Sequence, residues 1–460
     1  MNLITSSHRR GLRVSVLSGL GVLALAVSIA GCSSTEPTAE PTGTDSGATA
    51  APAPEVNDTP ITVWVDADRQ AAADAYIAAN PDDPITVETY DGGANGSGTF
   101  RTKIQLFDQA GEGWPDVVFS TQNTDAAWAS QAAPGSQPYA AVLDDGLVSD
   151  DIISGFAEGS LNPCIVDGSV YCLRNDVAHV VTWYDQSLFD EFGYEVPTTW
   201  EEYEALGVKL AKDHPGYIIG SQGDPWAPEI YMWGSECQAN DITGATSVTV
   251  DTSSDQCVRA ASMMDTLRDN GTMPHVSVFT PEFIQDYQGK VLMLPGPVWY
   301  SGALFSNPDS LNAPKGTIGV AEPLAWDGAT AVTGNVGGGT WFVSSHSENP
   351  ALAAKFAEFV TTDPAYQVDL APGLPAYGPA AEAWVKKLEG DGYFATSLDP
   401  MVSAANMVWP GWGFGIFNQE AIWAKTMTPG VTEGKSLVDL LPEWQTAIAN
   451  QAQVDGYTVN

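Results

Sequence analysis

The stretch from Gly168 to Glu202 constrains the chain more than any other. Val170 to Leu173 is a short apolar run, Arg174, Asn175 and Asp176 interrupt it with three consecutive hydrogen-bonding side chains, and Val177 to Tyr184 resumes as a β-branched and aromatic run. Such a run suits a strand covered on both faces. Asp185 can cap a helix over Gln186 to Phe192, Gly193 can stop it, and Thr199-x-x-Glu202 has the spacing of a capping box for the next helix. Two strands therefore bracket a polar elbow. Composition alone also suits Arg174, Asn175 and Asp176 to a surface turn, because Asn and Asp favour turns for local reasons.

The beginning of the chain speaks to compartment. His8, Arg9, Arg10 and Arg13 precede an apolar run from Val14 to Ile29, too short to favour a permanent membrane span. Ile29, Ala30, Gly31 and Cys32 close it in a pattern that resembles a bacterial lipobox. Residues 1–31 then read as a lipoprotein signal peptide, and Cys32 as the residue that takes a diacylglycerol, whose two chains suffice for a durable anchor. Residues 32–59 are rich in Thr, Pro, Ala, Gly and Glu and read as a disordered tether. The expected location is the outer face of the cell membrane.

The remaining residues, about 400, exceed what one hydrophobic core usually organises, so two lobes are expected. The formal charge of −39 excludes nucleic acid as a partner by repulsion. Five cysteines become four once Cys32 is lipidated, an even number in an oxidising compartment. Of the three pairings that four allow, Cys164 with Cys172 and Cys237 with Cys257 are preferred, since each pair flanks a plausible hairpin or short helical excursion. The sequence has no C-x-x-C, and His179, His214, His275 and His346 are scattered, so neither a metal nor another cofactor is expected.

In order, strands and helices alternate, which is the pattern of an α/β fold. Ile61 to Val65 reads as a strand with Asp66, Asp68 and Arg69 at its carboxyl end, where α/β proteins place ligand groups. A helix over Gln70 to Ala79, a strand over Ile85 to Thr89 and a helix over Phe100 to Gln109 follow. The glycine-rich loop from Asp91 to Gly98 lacks the Walker lysine and the dinucleotide spacing. Further expected elements are a strand at Tyr217 to Gly220 and helices at Glu229 to Glu236, Ala351 to Thr361 and Asn418 to Lys425.

Several segments resemble one family in the same order along the chain. Gly168 to Leu173, then Trp183, Tyr184 and Asp185, then Ser187, Leu188 and Phe189, then Pro197 to Glu202 resemble the crossing segment of the extracellular solute-binding proteins of ABC importers, family 1, the maltose-binding-like sugar binders. Trp114 to Phe119 resembles that family's G-x-P-D-[VI]-[VI]-F strand. Gly289 to Tyr300 resembles its G-K-x-A-M strand and G-P-W turn, with Val298 inserted between Pro297 and Trp299. Gly316 to Pro323, Asn335 to Val343 and Pro372 to Pro375 resemble later strands and crossings.

The resemblance implies a two-lobed periplasmic-binding-protein-like fold of type II, with a ligand cleft between the lobes. It places lobe 1 at residues 60–173 and 324–372 and lobe 2 at 174–323 and 373–460. It implies a ligand set of Asp66, Asp68, Arg69, Gln122, Asn123, Asn175, Asp176, Trp226, Trp299, Tyr300, Trp409 and Trp412. Trp226, Trp299 and Trp412 are expected to form an aromatic clamp. The same match reads Asp116 as a structural hydrogen-bonding residue rather than a ligand. The implied ligand is a carbohydrate, since carboxylates and amides pair with vicinal hydroxyls while indole faces cover sugar C–H faces. The implied partners are ABC permease subunits and, through them, an ATPase. No G-x-S-x-G or H-E-x-x-H is present, so catalysis is not expected. A carbohydrate-active lipoprotein enzyme and a binder of polyamines or amino acids are the alternatives.

Overall fold

The structure is a computed structural model that describes residues 54–132, 137–244 and 246–460. The signal segment, Cys32 and most of the tether lie outside the described residues. Asn349 donates from Nδ2 to the carbonyls of Asn57 (2.7 Å) and Thr59 (2.9 Å), so backbone just before the first strand is already tied to the domain.

Eight strands carry the architecture: β1 (Ile61–Val65), β2 (Ile85–Thr89), β3 (Val117–Ser120), β4 (Leu173–Arg174), β5 (Val180–Asp185), β6 (Met293–Pro297), β7 (Ile318–Ala321) and β8 (Thr340–Val343). The first sheet has the order β2-β1-β3-β8-β4 and the second β6-β5-β7. In the first, β1 is parallel to both neighbours, Val63 facing Val87 on one side and Val117 on the other, and β8 runs antiparallel to β3 and β4. In the second, β5 is central and antiparallel to both partners, Tyr184 opposite Met293 and Trp183 opposite Val320. This is an α/β fold in which the chain leaves the first sheet at β4, builds the second, and returns at β8.

Sequence chemistry explains the main elements. All six residues of β5 are buried, with Val181 and Trp183 on one core and Val180 and Tyr184 on the other, as period-2 alternation demands of a strand covered on both faces. The helix α1 (Gln70–Ala79) follows β1, and α2 (Thr99–Ala110) follows the glycine loop. Asp185 caps α3 (Gln186–Phe192), its Oδ1 accepting from the amides of Ser187 (2.9 Å) and Leu188 (3.2 Å), and Gly193 ends it with φ of +67°.

At α4 (Trp200–Asp213) Thr199 accepts from the Glu202 amide (3.2 Å), but the Glu202 carboxylate reaches the Thr198 amide (2.8 Å), one residue earlier than a capping box requires. Asp116 accepts from the Thr62 amide (2.7 Å) and the Ser347 hydroxyl (2.5 Å), fixing the entry to β3.

Some expected elements are shorter or different. Val170 to Leu173 is split between a two-residue hairpin strand and β4, with the disulfide-bonded Cys172 at the break. Tyr217 to Gly220 makes only a single bridge, Ile218 to Val291. Glu229 to Glu236 is a π turn over Pro228–Met232 followed by a 3₁₀ turn, with Glu236 left-handed at φ of +62°. The helix expected at Asn418 to Lys425 is longer. As α5 (Gln419–Thr432) it carries Pro429 inside it and packs on α6 (Leu437–Val454). The second disulfide, Cys237–Cys257, has a Cα separation of 4.6 Å and closes a loop worth about 3 kcal/mol in the chain-entropy picture.

Candidate functional site

A cavity of about 730 Å³ lies between the two sheets' loops. One wall comes from residues at the ends of strands of the first sheet: Asp68 and Arg69 after β1, Thr121 and Gln122 after β3, Asp176 after β4, and Gly337 to Gly339 before the antiparallel β8. Trp226, Phe279, Trp299 and Glu420 form the opposite wall.

The first wall is polar and tightly fixed. Asp66 caps the turn after β1, its Oδ1 accepting from the Arg69 amide at 2.8 Å, and its other oxygen lies 3.4 Å from the Arg69 guanidinium. Arg69 also lies 3.7 Å from Asp68 and over the Phe119 ring, 4.5 Å from its centroid. Burial works against the charged guanidinium, but Asp66, the Tyr366 hydroxyl, Asp176 and Asp68 together hold its proton more firmly than usual. Burial also raises Asp66, with Arg69 opposing it. Asp68 is the open member, its side chain 81% exposed.

Arg174, Asn175 and Asp176 are not a surface turn. All three are buried, because the loop is the hub between β4, β8 and the segment at Gly373 to Pro375. Arg174 Nη2 donates to the carbonyls of Asp176 (3.1 Å) and Gly337 (3.3 Å), while its Nε and Nη1 find no partner and burial lowers its pKa to about 10. Asn175 Oδ1 accepts from Trp341 Nε1 (3.1 Å) and Gln367 Nε2 (3.2 Å), and its Nδ2 donates to Asp176 Oδ1 (3.0 Å). That oxygen also accepts from the Gly339 amide at 2.9 Å, which leaves the second carboxylate oxygen to the cavity that Asp176 lines. Gly338, at φ of +90°, is required here: a Cβ would fall 2.0 Å from Arg174 Nη2.

The second wall is apolar at its surface. Trp226 and Trp299 meet edge to face with centroids 6.3 Å apart, and Phe279 lies 6.0 Å from Trp299 and 6.1 Å from Trp226. Both indole N–H groups are already used, Trp226 donating to the Tyr300 hydroxyl (3.1 Å) and Trp299 to the Val336 carbonyl (3.0 Å). The rings therefore offer faces and edges to a ligand and no hydrogen bonds.

The structure brings together Asp68, Arg69, Gln122, Asp176, Trp226 and Trp299. It does not bring the other expected ligand residues to the cavity. Asp66 and Asn175 stand behind Arg69 and Asp176. Asn123 turns its amide to the Gly337 carbonyl (3.2 Å). Tyr300 is 1% exposed behind Trp226. Trp409 gives its carbonyl to Trp233 Nε1 (2.8 Å), and Trp412 is buried in the second core, stacked on Trp233 at 5.2 Å. The cause is a contact from far along the chain: Asn240 and Gly413 exchange backbone and amide hydrogen bonds (2.9 and 2.8 Å), which pins the loop and turns the Trp412 ring inward.

Phe279 and Glu420 were not expected. Phe279 precedes the Thr280 cap of the helix Pro281–Tyr287, a position where an apolar residue normally folds back on its own helix, so its 39% exposure is the signal that sequence could not carry.

The model of one protein family, described as bacterial extracellular solute-binding protein, matches residues 36–367. The chain belongs to this family.

Other solute-binding proteins share its fold. The ABC transporter associated binding protein from B. animalis subsp. lactis, solved with β-1,6-galactobiose, superposes with a TM-score of 0.70 at 22% identity, over 88% of this chain and 100% of that one. The galacto-N-biose-/lacto-N-biose I-binding protein from Bifidobacterium longum, solved with lacto-N-biose, has a TM-score of 0.70 at 21% identity, over 87% of this chain and 99% of that one. A binding protein of Brucella abortus is 28% identical over 231 residues, 47% of this chain and 52% of that protein, so the match spans about half the length of that curated relative.

In this solute-binding protein the two walls also touch directly. Asn418, the cap of α5, donates from Nδ2 to Gln122 Oε1, Gln122 Nε2 lies 3.5 Å from Glu420 Oε2, and Arg101 of α2 donates to the Ile416 carbonyl while paired with Asp125 at 2.6 Å. Glu420 and Glu229 are 5% and 8% exposed. Burial pushes Glu420 up to about 7, with the Gln122 hydrogen bond opposing and Asp224 adding to the rise. Burial and then the neighbouring Glu420 raise Glu229. Among the described residues no helix is long and apolar enough to cross a membrane, and no cluster of His, Cys, Asp or Glu could hold a metal ion.

Proposed function

We propose that the protein is the extracytoplasmic, lipid-anchored binding component of an ABC importer, that it captures a carbohydrate by closing two lobes over it, and that it delivers the sugar to a permease without chemical change. Lipidation at Cys32 after removal of residues 1–31 supplies the anchor. Lobe 1 comprises residues 60–173 and 324–372, and lobe 2 residues 174–323 and 373–460.

One observation carries the reading: a cleft with oriented carboxylates and amides on one wall and ring faces with no free N–H on the other. A sugar ring has this same division, hydroxyls around its equator and C–H groups on its faces. The cavity volume lies within the roughly 300–1,000 Å³ usual for small-molecule sites. The sugars named for the structural relatives are the natural first probes.

The test is a thermal-shift screen over β-1,6-galactobiose, lacto-N-biose and other di- and oligosaccharides, beside polyamines and amino acids. A ligand present at 100 times its dissociation constant adds about 2.7 kcal/mol of stability, which raises Tm measurably. A shift with a polyamine or amino acid and none with any sugar would overturn the carbohydrate assignment.

A further inference from the structure

The contact between the walls contains two carboxyl groups that no cation among the described residues neutralises. Glu420 sits two residues after the Asn418 cap of α5, Glu229 lies on the π turn packed against that helix, and both are more than nine-tenths buried. Glu229 Oε2 has no hydrogen-bond partner.

The surroundings of the pair are these. Gln122 reaches Glu420 from the loop after β3. Asp224, a third carboxyl, is buried nearby and accepts from the Val278 amide at 3.1 Å. At the start of Glu420's own helix the cap Asn418 donates to Gln122, and Gln419 donates to Asn240 (3.2 Å). Arg101, the cation of this seam, is committed to Asp125, Thr124 and the Ile416 carbonyl. Among the described residues no lysine, arginine or histidine bonds to Glu229 or Glu420. Two adjacent buried carboxylates cannot both be ionised without a large penalty, so the pair holds a proton as long as the seam stays shut.

Opening changes that. Gln122 belongs to the wall built on the first sheet and Glu420 to the wall built with α5, so separating them uncovers to water the side of Glu420 that the seam shields. The amide, which favours the charged form, is lost at the same time, but burial is the larger influence.

We propose that Glu229 and Glu420 form a proton-operated latch, so that closure of the cleft takes up a proton from solvent onto the pair and opening returns it. The proposal concerns the regulation of the proposed binding site and rests on lobe closure, not on the ligand's being a sugar. No bond other than O–H forms or breaks. The sign follows from linkage: the closed form binds the proton more tightly, so closure is strongest below the open form's carboxylate range. It weakens as pH rises through the closed form's higher value. Within that interval each pH unit changes the closed-to-open ratio by about tenfold.

The test needs no ligand. In the full chain carrying Cys32→Ser, spin labels go on Leu106→Cys of α2 and Val454→Cys at the end of α6, which are 58% and 80% exposed. Their separation is measured by pulsed electron resonance from pH 5 to pH 8. The expected result is a single short distance at pH 5 and growth of a second distance population towards pH 8, with the short one retained throughout in Glu420→Gln. Glu229→Gln, which leaves Glu420 without its like-charged neighbour, should move the transition to lower pH. A distance that does not change with pH in the native pair overturns the latch. So does a Glu420→Gln protein that keeps the native pH response, or an unmoved transition in Glu229→Gln. A failed sugar screen would leave all three outcomes readable.

Discussion

The two walls of the cleft are built on opposite principles. The polar wall is fixed by hydrogen bonds made largely to backbone: Asp66 to the Arg69 amide, Asp176 to the Gly339 amide, Arg174 to two carbonyls. The aromatic wall is fixed by packing, and its two indole N–H groups are turned back into the protein. A wall of the first kind discriminates, because the oxygen that Asp176 has left to offer is held in one direction by the bonds to its other oxygen. A wall of the second kind adds affinity for any ring with an apolar face and is nearly indifferent to hydroxyl configuration.

The largest expected effect asks where the aromatic wall ends. Trp412→Ala removes an indole stacked in the core behind that wall, and should cost about 3–5 kcal/mol of folding stability in denaturant titration while leaving sugar affinity intact in whatever fraction remains folded. Lost affinity with unchanged stability would return Trp412 to the clamp.

On the polar side, Asp176→Asn keeps the shape and removes the charge, and should weaken binding by about 1.5–3 kcal/mol in calorimetry, unequally across sugars that differ in hydroxyl configuration. On the other side, Trp299→Ala should lose an amount of similar order, about 1.5–3 kcal/mol of apolar contact, but nearly equally across the same sugars. If the two profiles are alike, the division of labour between the walls is wrong. The smallest effect belongs to Asp68→Ala, about 0.5–1.5 kcal/mol, because the open carboxylate gives up little desolvated contact.

What the sequence could convey divides along the range of the interaction. Caps at Asp185 and Thr199, the buried strand at β5 and both disulfides depend on neighbours within a few to about twenty positions, and these were legible. So was the order of segments that places Asp68, Arg69 and Asp176 at strand ends. The clamp was only partly legible, because a tryptophan beside Pro410 and Gly411 carries no record of which way its ring turns. That is decided by Asn240, more than 170 positions away. The burial of Arg174, Asn175 and Asp176 likewise depends on Gly337, Trp341 and Gln367 arriving from β8 and beyond. Glu420 was missed for the same reason: its character comes from burial and from Gln122 and Asp224, and neither residue is near it in the chain.

The Cys164–Cys172 link has a practical consequence for anyone making the protein. It ties off the hairpin that runs directly into Leu173, Arg174 and Asp176, so the hub of the polar wall hangs from a bond that forms only under oxidising conditions. Material produced in a reducing cytosol would carry that hub on an untied loop, and a blank result from a sugar screen on such material would describe the expression host and not the binding site.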